Sequence, residues 1–186
     1  LSIKIRVLFF MELIKQNSQT RIFKSLIVIF LGSILLAISA KVKIPFYPVP
    51  MTMQTFVVLF LGLSFGYKIG LATVSLYLIE GIIGLPVFSN SPERGIGLVY
   101  FTGPTMGYLV GFLFACLLAS FVKVEDDYVM TFLKLILSVS TIYILGILWL
   151  GVIIKLGITP FLLAEFFKII LLTFLSKKKF KLRNFI

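Results

Sequence analysis

The chain has 186 residues, of which 60% are hydrophobic and 13% are charged, and its formal net charge at neutral pH is +11. Soluble domains are about 45–50% apolar, so this composition indicates one integral membrane domain and leaves no length for a second, soluble one. Histidine is absent and Cys116 is the only cysteine, which excludes Cys/His zinc sites, haem bound through histidine and a disulfide within the chain, and no metal or cofactor is expected.

Six apolar segments follow one another along the chain and predict an all-α membrane protein, a bundle of six transmembrane helices. Short connections rich in proline, glycine or charge separate the segments. Helix two is short, and helix three ends among glycines and a proline, so neither is expected to cross the bilayer as a straight rod. The predicted helices lie at about residues 22–40, 52–66, 69–86, 103–122, 129–154 and 161–176.

Both ends of the chain are basic. Residues 1–21 are expected to form a basic leader, with Met11 as an alternative start, residues 22–176 the membrane domain that binds substrate, and residues 177–186 a basic tail. Most lysines and arginines outside the helices then lie on the side of the two termini, which predicts a multi-pass protein of a prokaryotic cytoplasmic membrane with both termini in the cytoplasm. Membrane topology explains the net positive charge, with membrane lipid as a partner, and no nucleic-acid partner is expected.

The last apolar segment contains an acid and an amine, Glu165 and Lys168, in the stretch LAEFFK. An ionisable side chain inside a membrane span costs about 2.5–3.5 kcal/mol, so the pair requires a reason. Residues three apart share a helix face, where the two charges can neutralise each other. They form either a structural ion pair or a site in which the amine meets an anionic ligand and the acid holds the amine or accepts a ligand donor.

Four other polar residues are candidate ligand contacts. Glu80 is the other intramembrane acid, and Tyr77 lies one turn from it; both either contact ligand or make structural pairs, Glu80 with Lys168. In the third connection, Asn90 offers a donor and an acceptor suited to an amide or ureido group, and Arg94 offers a cation for a carboxylate, with a solvated turn as the alternative.

Small residues recur on one face of helix one, at Ser33, Ala37 and Ala40. Such a face lets another helix approach closely, so it either packs inside the bundle or docks a partner membrane protein. The sequence contains no P-loop and no nucleophile paired with a base at useful spacing. No catalytic residue is expected, and ATP hydrolysis would have to come from another protein.

Three ordered motifs resemble the BioY family, the biotin-specific S components of energy-coupling factor (ECF) transporters. They are SAKVKIPFYPVPMTMQT after helix one, LYLIEGIIGLPVF closing helix three and GPTMGYLVGF opening helix four. The similarity covers about residues 25 to 176. The resemblance implies a six-helix bundle of the ECF S-component type that takes up biotin and works with a transmembrane T component and two ABC ATPases.

The resemblance also implies site residues. The family's last helix carries an acid and, three residues later, a lysine that contact biotin, and here these are Glu165 and Lys168, with Leu163 and Ala164 in place of the usual Pro-Gly. Asn90 matches a ligand-contacting position, and Arg94 matches less securely. The small-residue face of helix one, including Ala37 and Ala40, is expected to meet the T component.

Three alternatives to biotin uptake remain open at this point. An S component for another vitamin, such as thiamine or riboflavin, would share the fold, although a cationic ligand such as thiamine is disfavoured by Lys168. A small intramembrane enzyme needs a nucleophile or metal site, which a chain without histidine and with one cysteine supplies poorly. A purely structural membrane subunit would not need Asn90, Glu165 or Lys168.

Overall fold

The computed structural model describes residues 3–45, 49–153 and 162–177 of the chain. Within these residues the chain forms six helices, which confirms the predicted all-α class. A two-residue antiparallel hairpin in the first connection, which the sequence did not predict, pairs Lys43 with Thr52. The elements in order are α1 (Ile3–Lys41), β1 (Lys43–Ile44), β2 (Met51–Thr52), α2 (Gln54–Ile82), α3 (Leu98–Phe101), α4 (Met106–Ala119), α5 (Tyr128–Ile153) and α6 (Leu162–Lys177).

Helix α2 reverses its direction at Gly66. The side-chain amide of Gln54 donates a hydrogen bond of 2.5 Å to the hydroxyl of Tyr77, 23 residues further along the same helix. A straight α-helix would separate these residues by about 35 Å. Gly66 has φ 78° and ψ 175°, a conformation that is open essentially only to glycine. The two arms of α2, before and after Gly66, are therefore antiparallel and correspond to predicted helices two and three.

With α2 counted as two arms and the one-turn α3 left out, the described residues form six helices, as the sequence predicted. The boundaries differ at the first span, because α1 already begins at Ile3, inside the predicted leader. The part of α1 that is apolar enough to cross a membrane is Gln19–Lys41. The one-turn helix α3 precedes α4 and was not expected. The fifth connection and residues 178–186 of the predicted tail lie outside the described residues.

The bundle is built around α4, which packs against α5 on one side and against α2 on the other. Its buried side chains, among them Leu59, Val74, Phe112 and Leu135, form one continuous core. Large apolar side chains also cover the outside of the bundle, for example Phe23, Leu137 and Phe174, each more than half exposed. An apolar exterior around an apolar core is the arrangement expected of a bundle surrounded by lipid.

The connections gather at two ends of the bundle. At one end, the first and third connections meet, because Lys41 at the end of α1 donates hydrogen bonds to the carbonyls of Phe88 and Ser91 at 3.0 and 2.9 Å. The fourth connection lies at the other end, where Lys134 forms a 2.6 Å ion pair with Asp126. The hydrogen bond from Lys134 lowers the pKa of Asp126 below its usual range. The reversal at Gly66 lies at this second end.

Candidate functional site

A small cavity of about 50 Å³ lies beneath the first and third connections. Most of its exposed wall is apolar, although many of the lining side chains also carry a hydroxyl, amide or carboxylate group. Two hydroxyl-bearing rings, Tyr108 of α4 and Tyr143 of α5, face each other edge to face at 6.0 Å. The lining residues are Val49, Pro50, Met51, Thr52, Gln54, Thr55, Ser89, Tyr100, Thr105, Tyr108, Leu109, Phe112, Ile142, Tyr143 and Glu165.

Glu165 supplies the cavity with a buried carboxylate. It lies in the first turn of α6, where the helix dipole favours a negative charge, and it is only 5% exposed. Its Oε1 accepts a hydrogen bond of 2.6 Å from Lys168, which is itself 9% exposed. Its Oε2 is buried and has no hydrogen-bond partner among the described residues. The site therefore presents one oriented hydrogen-bond acceptor, Oε2 of Glu165, and the Lys168 ammonium balances the negative charge of the carboxylate.

Lys168 does not itself line the cavity. Among the described residues, Glu165 is the only ionisable carboxylate or amine in the lining, and Lys168 sits one helical turn further along α6, held by it. The sequence analysis expected Lys168 to meet an anionic ligand and Glu165 either to hold the amine or to accept a ligand donor. The geometry places the acid in the cavity wall and the amine behind the acid.

Gln54 at the start of α2 is a second polar group of the cavity, and Tyr77 fixes its position. The amide nitrogen of Gln54 donates to the Tyr77 hydroxyl, which in turn donates to the carbonyl of Val87 at 3.2 Å. The ring of Tyr77 is fully buried and packs edge to face on Phe88 at 5.3 Å. Tyr77, a predicted ligand contact, is therefore a support for Gln54 and not part of the lining.

The third connection covers the cavity and is held by three anchors besides Lys41. Lys43 donates to the side-chain oxygen of Asn90, which has a positive φ of 59°. Tyr100 donates to the carbonyl of Ser89 at 2.5 Å, and Trp149 of α5 donates to the carbonyl of Gly103 at 2.9 Å. Asn90 and the exposed Arg94 thus lie on the covering loop, outside the lining of the cavity.

Glu80 and the small residues of α1 serve the packing of the bundle. Ser33 donates a hydrogen bond of 2.9 Å to Glu80, joining α1 to the second arm of α2. Glu80 thus pairs with Ser33, and the expected pair with Lys168 is not formed. Ser33 and Ala40 have no exposed surface, and Ala37 is half-buried. Of the two roles open to this face, the geometry of Ser33 and Ala40 matches packing inside the bundle.

Of the residues that line the cavity, the sequence analysis singled out only Glu165, and Gln54, Thr55 and Tyr143 are among those that it missed. Gln54 and Thr55 stand in the quoted motif MTMQT, and two adjacent polar residues at the start of an apolar helix are the signal that marks them. Tyr143 lies in the middle of α5, among aliphatic residues, and no local pattern distinguishes it from an aromatic residue that packs against lipid.

Replacing Lys41 with methionine is expected to loosen the loop over the cavity, because the loop loses two hydrogen bonds from a charged donor. Bonds of this kind contribute about 1.5–3 kcal/mol each, so amide exchange in residues 87–91 should accelerate about tenfold or more. Hydrogen–deuterium exchange measures this rate. Lys123→Met, at the opposite end of the bundle, is the control, and equal exchange in both variants would contradict the anchoring role of Lys41.

A bundle of apolar helices with a cavity at one end, beneath two loops that contact each other, has the architecture of a membrane protein with a small-molecule site. The fold is that of a crystallised S component for biotin from an ECF-type ABC transporter, with a TM-score of 0.74 over 86% of this chain and 92% of that one, at 22% identity. The BioY family matches residues 13–184, and the chain belongs to this family of transporter components. The predicted family and the predicted S-component fold are both confirmed.

Relatives from distant organisms share most of their length with this chain. The biotin transporter BioY2 of Lactococcus lactis is 33% identical over 80% of this chain and 86% of its own length. The biotin transporter BioY of Thermotoga maritima is 30% identical over 80% of this chain and 90% of its own. The probable biotin transporter BioY of Pyrococcus horikoshii is 30% identical over 77% and 87%.

Proposed function

We propose that this protein binds biotin in the cavity beneath the two loops and takes it up across the cytoplasmic membrane as the S component of an ECF-type transporter. The observation that carries this proposal is the unpaired, buried Oε2 of Glu165 at the wall of a mainly apolar cavity in a BioY family member. Biotin offers two ureido N–H donors on a compact apolar ring system. A carboxylate acceptor inside apolar walls is the complement of such a group.

The charges of the site favour one orientation of the ligand. The carboxylate of the biotin side chain would be repelled by Glu165, so the ureido ring is placed at Glu165 and the side chain towards the covering loops. The ureido carbonyl needs a donor, which Thr55 of the cavity wall can provide. Lys41 and Lys43 supply positive charge at the loop end. Asn90 and Arg94 remain predicted ligand contacts that require a rearrangement of the loop.

The resemblance to ECF S components supports a transporter with other subunits. The sequence contains no P-loop, and in this proposal a T component with two ABC ATPases supplies the energy. The distribution of basic residues supports a cytoplasmic membrane location with both termini in the cytoplasm and the cavity on the outer side. Docking of the T component against the face of Ser33, Ala37 and Ala40 would require α1 to separate from α2, since these residues pack in the bundle.

Titration calorimetry on the purified protein in detergent tests the proposal, with biotin, thiamine and riboflavin as separate ligands. Saturable binding is expected for biotin alone. Glu165→Gln should weaken biotin binding about tenfold or more, because a buried ligand donor loses a charged acceptor. Glu125→Gln, an exposed change in the fourth connection, is the matched control and should bind as the wild type does. A folded wild type that binds no biotin would overturn the assignment.

A further inference from the structure

A groove lies at the end of the bundle opposite the cavity, between α1 and the reversal of α2. It is formed by the beginning of the apolar part of α1 and by the residues on either side of Gly66. The groove shares no residue with the biotin site proposed above. Its lining residues are Arg21, Ile22, Ser25, Leu26, Ile29, Phe65, Gly66, Tyr67, Lys68 and Ile69.

The lining is divided into a cationic part and an apolar part. Arg21 and Lys68 are both exposed, and no acidic side chain is among the described residues of the groove. The Arg21 guanidinium forms no hydrogen bond or ion pair with the described residues. Apart from Ser25 and Gly66, the rest of the lining is aliphatic or aromatic, with Leu26 58% exposed. Such a surface is complementary to a molecule with an anionic head and an apolar tail.

The groove also lies at the depth where the head of a lipid meets its tail. The segment of α1 that is long and apolar enough to cross a membrane begins at Gln19, two residues before Arg21. Tyr67 is half exposed, with the Lys68 ammonium 6.0 Å from its ring centre. Tyrosine and lysine concentrate at the boundary between headgroups and hydrocarbon. The charged part of the groove is therefore at the headgroup level and the apolar part below it.

We propose that this groove is a binding site for one anionic phospholipid, whose headgroup phosphate lies between Arg21 and Lys68. One acyl chain runs along the aliphatic side chains of α1, over Leu26 and Ile29. Arginine and lysine together hold a phosphate by charge and hydrogen bonds, and basic pockets between membrane helices are suited to such headgroups. A bound lipid would join α1 to the reversal of α2 and so stabilise the end of the bundle opposite the proposed biotin site.

The experiment reconstitutes the full chain into vesicles of equal parts phosphatidylglycerol and phosphatidylcholine, extracts it gently and measures the co-purified lipid by mass spectrometry. Phosphatidylglycerol should be enriched in the wild type. Each of Arg21→Gln and Lys68→Gln should lower the enrichment about fivefold, since a basic residue near an anionic headgroup contributes about 1 kcal/mol. Lys123→Gln, at the same end of the bundle but outside the groove, is the matched control and should keep the wild-type enrichment. Leu26→Gln tests the acyl chain and should lower retention of both lipids.

Cooperative thermal unfolding and a single peak in size-exclusion chromatography establish that each variant is folded. Equal enrichment in the wild type and in Arg21→Gln/Lys68→Gln would overturn the proposal, as would a loss in Lys123→Gln as large as that in the double variant. Displacement of the lipid by water-soluble glycerol phosphate would assign the site to free phosphate and contradict a lipid occupant. A double variant that keeps its lipid but no longer assembles with the T component would also contradict a lipid occupant.

Discussion

Replacing Glu165 with glutamine, with Lys168 kept, is expected to destabilise the folded protein by about 3–5 kcal/mol. In the wild type, the Lys168 ammonium lies 2.6 Å from the Glu165 carboxylate, and only 10% and 6% of the two side chains are exposed. Without the carboxylate, a buried cation has no anion beside it. The single variant Lys168→Met should also destabilise the folded protein, because the buried Glu165 carboxylate then has no cation beside it. Equilibrium unfolding in mixed detergent micelles measures both changes.

The double variant Glu165→Gln/Lys168→Met is expected to recover most of the lost stability, because it leaves no unpaired charge in the bundle. The ion pair of Asp126 and Lys134 provides the matched control. It has the same N–O distance of 2.6 Å, but 29% of the lysine and 13% of the aspartate side chain are exposed. Asp126→Asn should change stability by about 1 kcal/mol or less. Equal losses in Asp126→Asn and Glu165→Gln would contradict the importance of burial for the Glu165–Lys168 pair.

Biotin affinity in the same double variant separates a structural pair from a binding site. If Glu165 accepts the ureido hydrogen bonds, the variant should be stable and still bind biotin weakly. If the pair only supports the helix, affinity should return together with stability. The sequence analysis left these two roles open, and the free Oε2 of Glu165 in the cavity wall now favours the first for the acid and the second for the lysine.

The spans and the charged pair of the last helix were predictable because both depend on local properties of the sequence. Apolar runs separated by proline, glycine and charge define the spans. A charged residue in such a run is costly wherever it points, so Glu165 and Lys168 stand out without any knowledge of the packing. The reversal of α2 at Gly66 was also predictable, because the predicted break at GYK marks the same place.

The direction of each side chain around its helix was much harder to predict. In a soluble protein the polar face of a helix reveals its buried face, whereas here both lipid and bundle interior are apolar. Nothing local therefore shows that Tyr143 faces the cavity while Ile144 faces outward. Glu80 was expected near Lys168 and instead accepts a hydrogen bond from Ser33 of α1. Which of the two partners it meets depends on how α1, α2 and α6 pack, which no local pattern shows.

Gly111→Ala is expected to destabilise the bundle by about 1–3 kcal/mol, because α4 and α5 pack backbone against backbone at this position. A Cβ on Gly111 would lie 2.7 Å from the Cα of Ile142, and one on Gly107 would lie 2.4 Å from the carbonyl oxygen of Leu145. The two glycines are four residues apart on one face of α4, the spacing that allows membrane helices to approach most closely. Neither contact is with a flexible side-chain end, so relief requires the helices to separate.

That separation should also reach the ligand, because Ile142 lines the cavity between the same two helices, next to Tyr108 and Tyr143. Gly111→Ala is therefore expected to weaken biotin binding as well as stability, although Gly111 itself is not in the cavity wall. Gly151→Ala on α5 is the control: among the described residues, no atom outside the local helix backbone lies within 4 Å of the added Cβ, and alanine favours the helix. It should leave affinity unchanged and stability unchanged or slightly raised. A Gly111→Ala protein that unfolds like the wild type would show that the α4–α5 contact is looser than this packing requires.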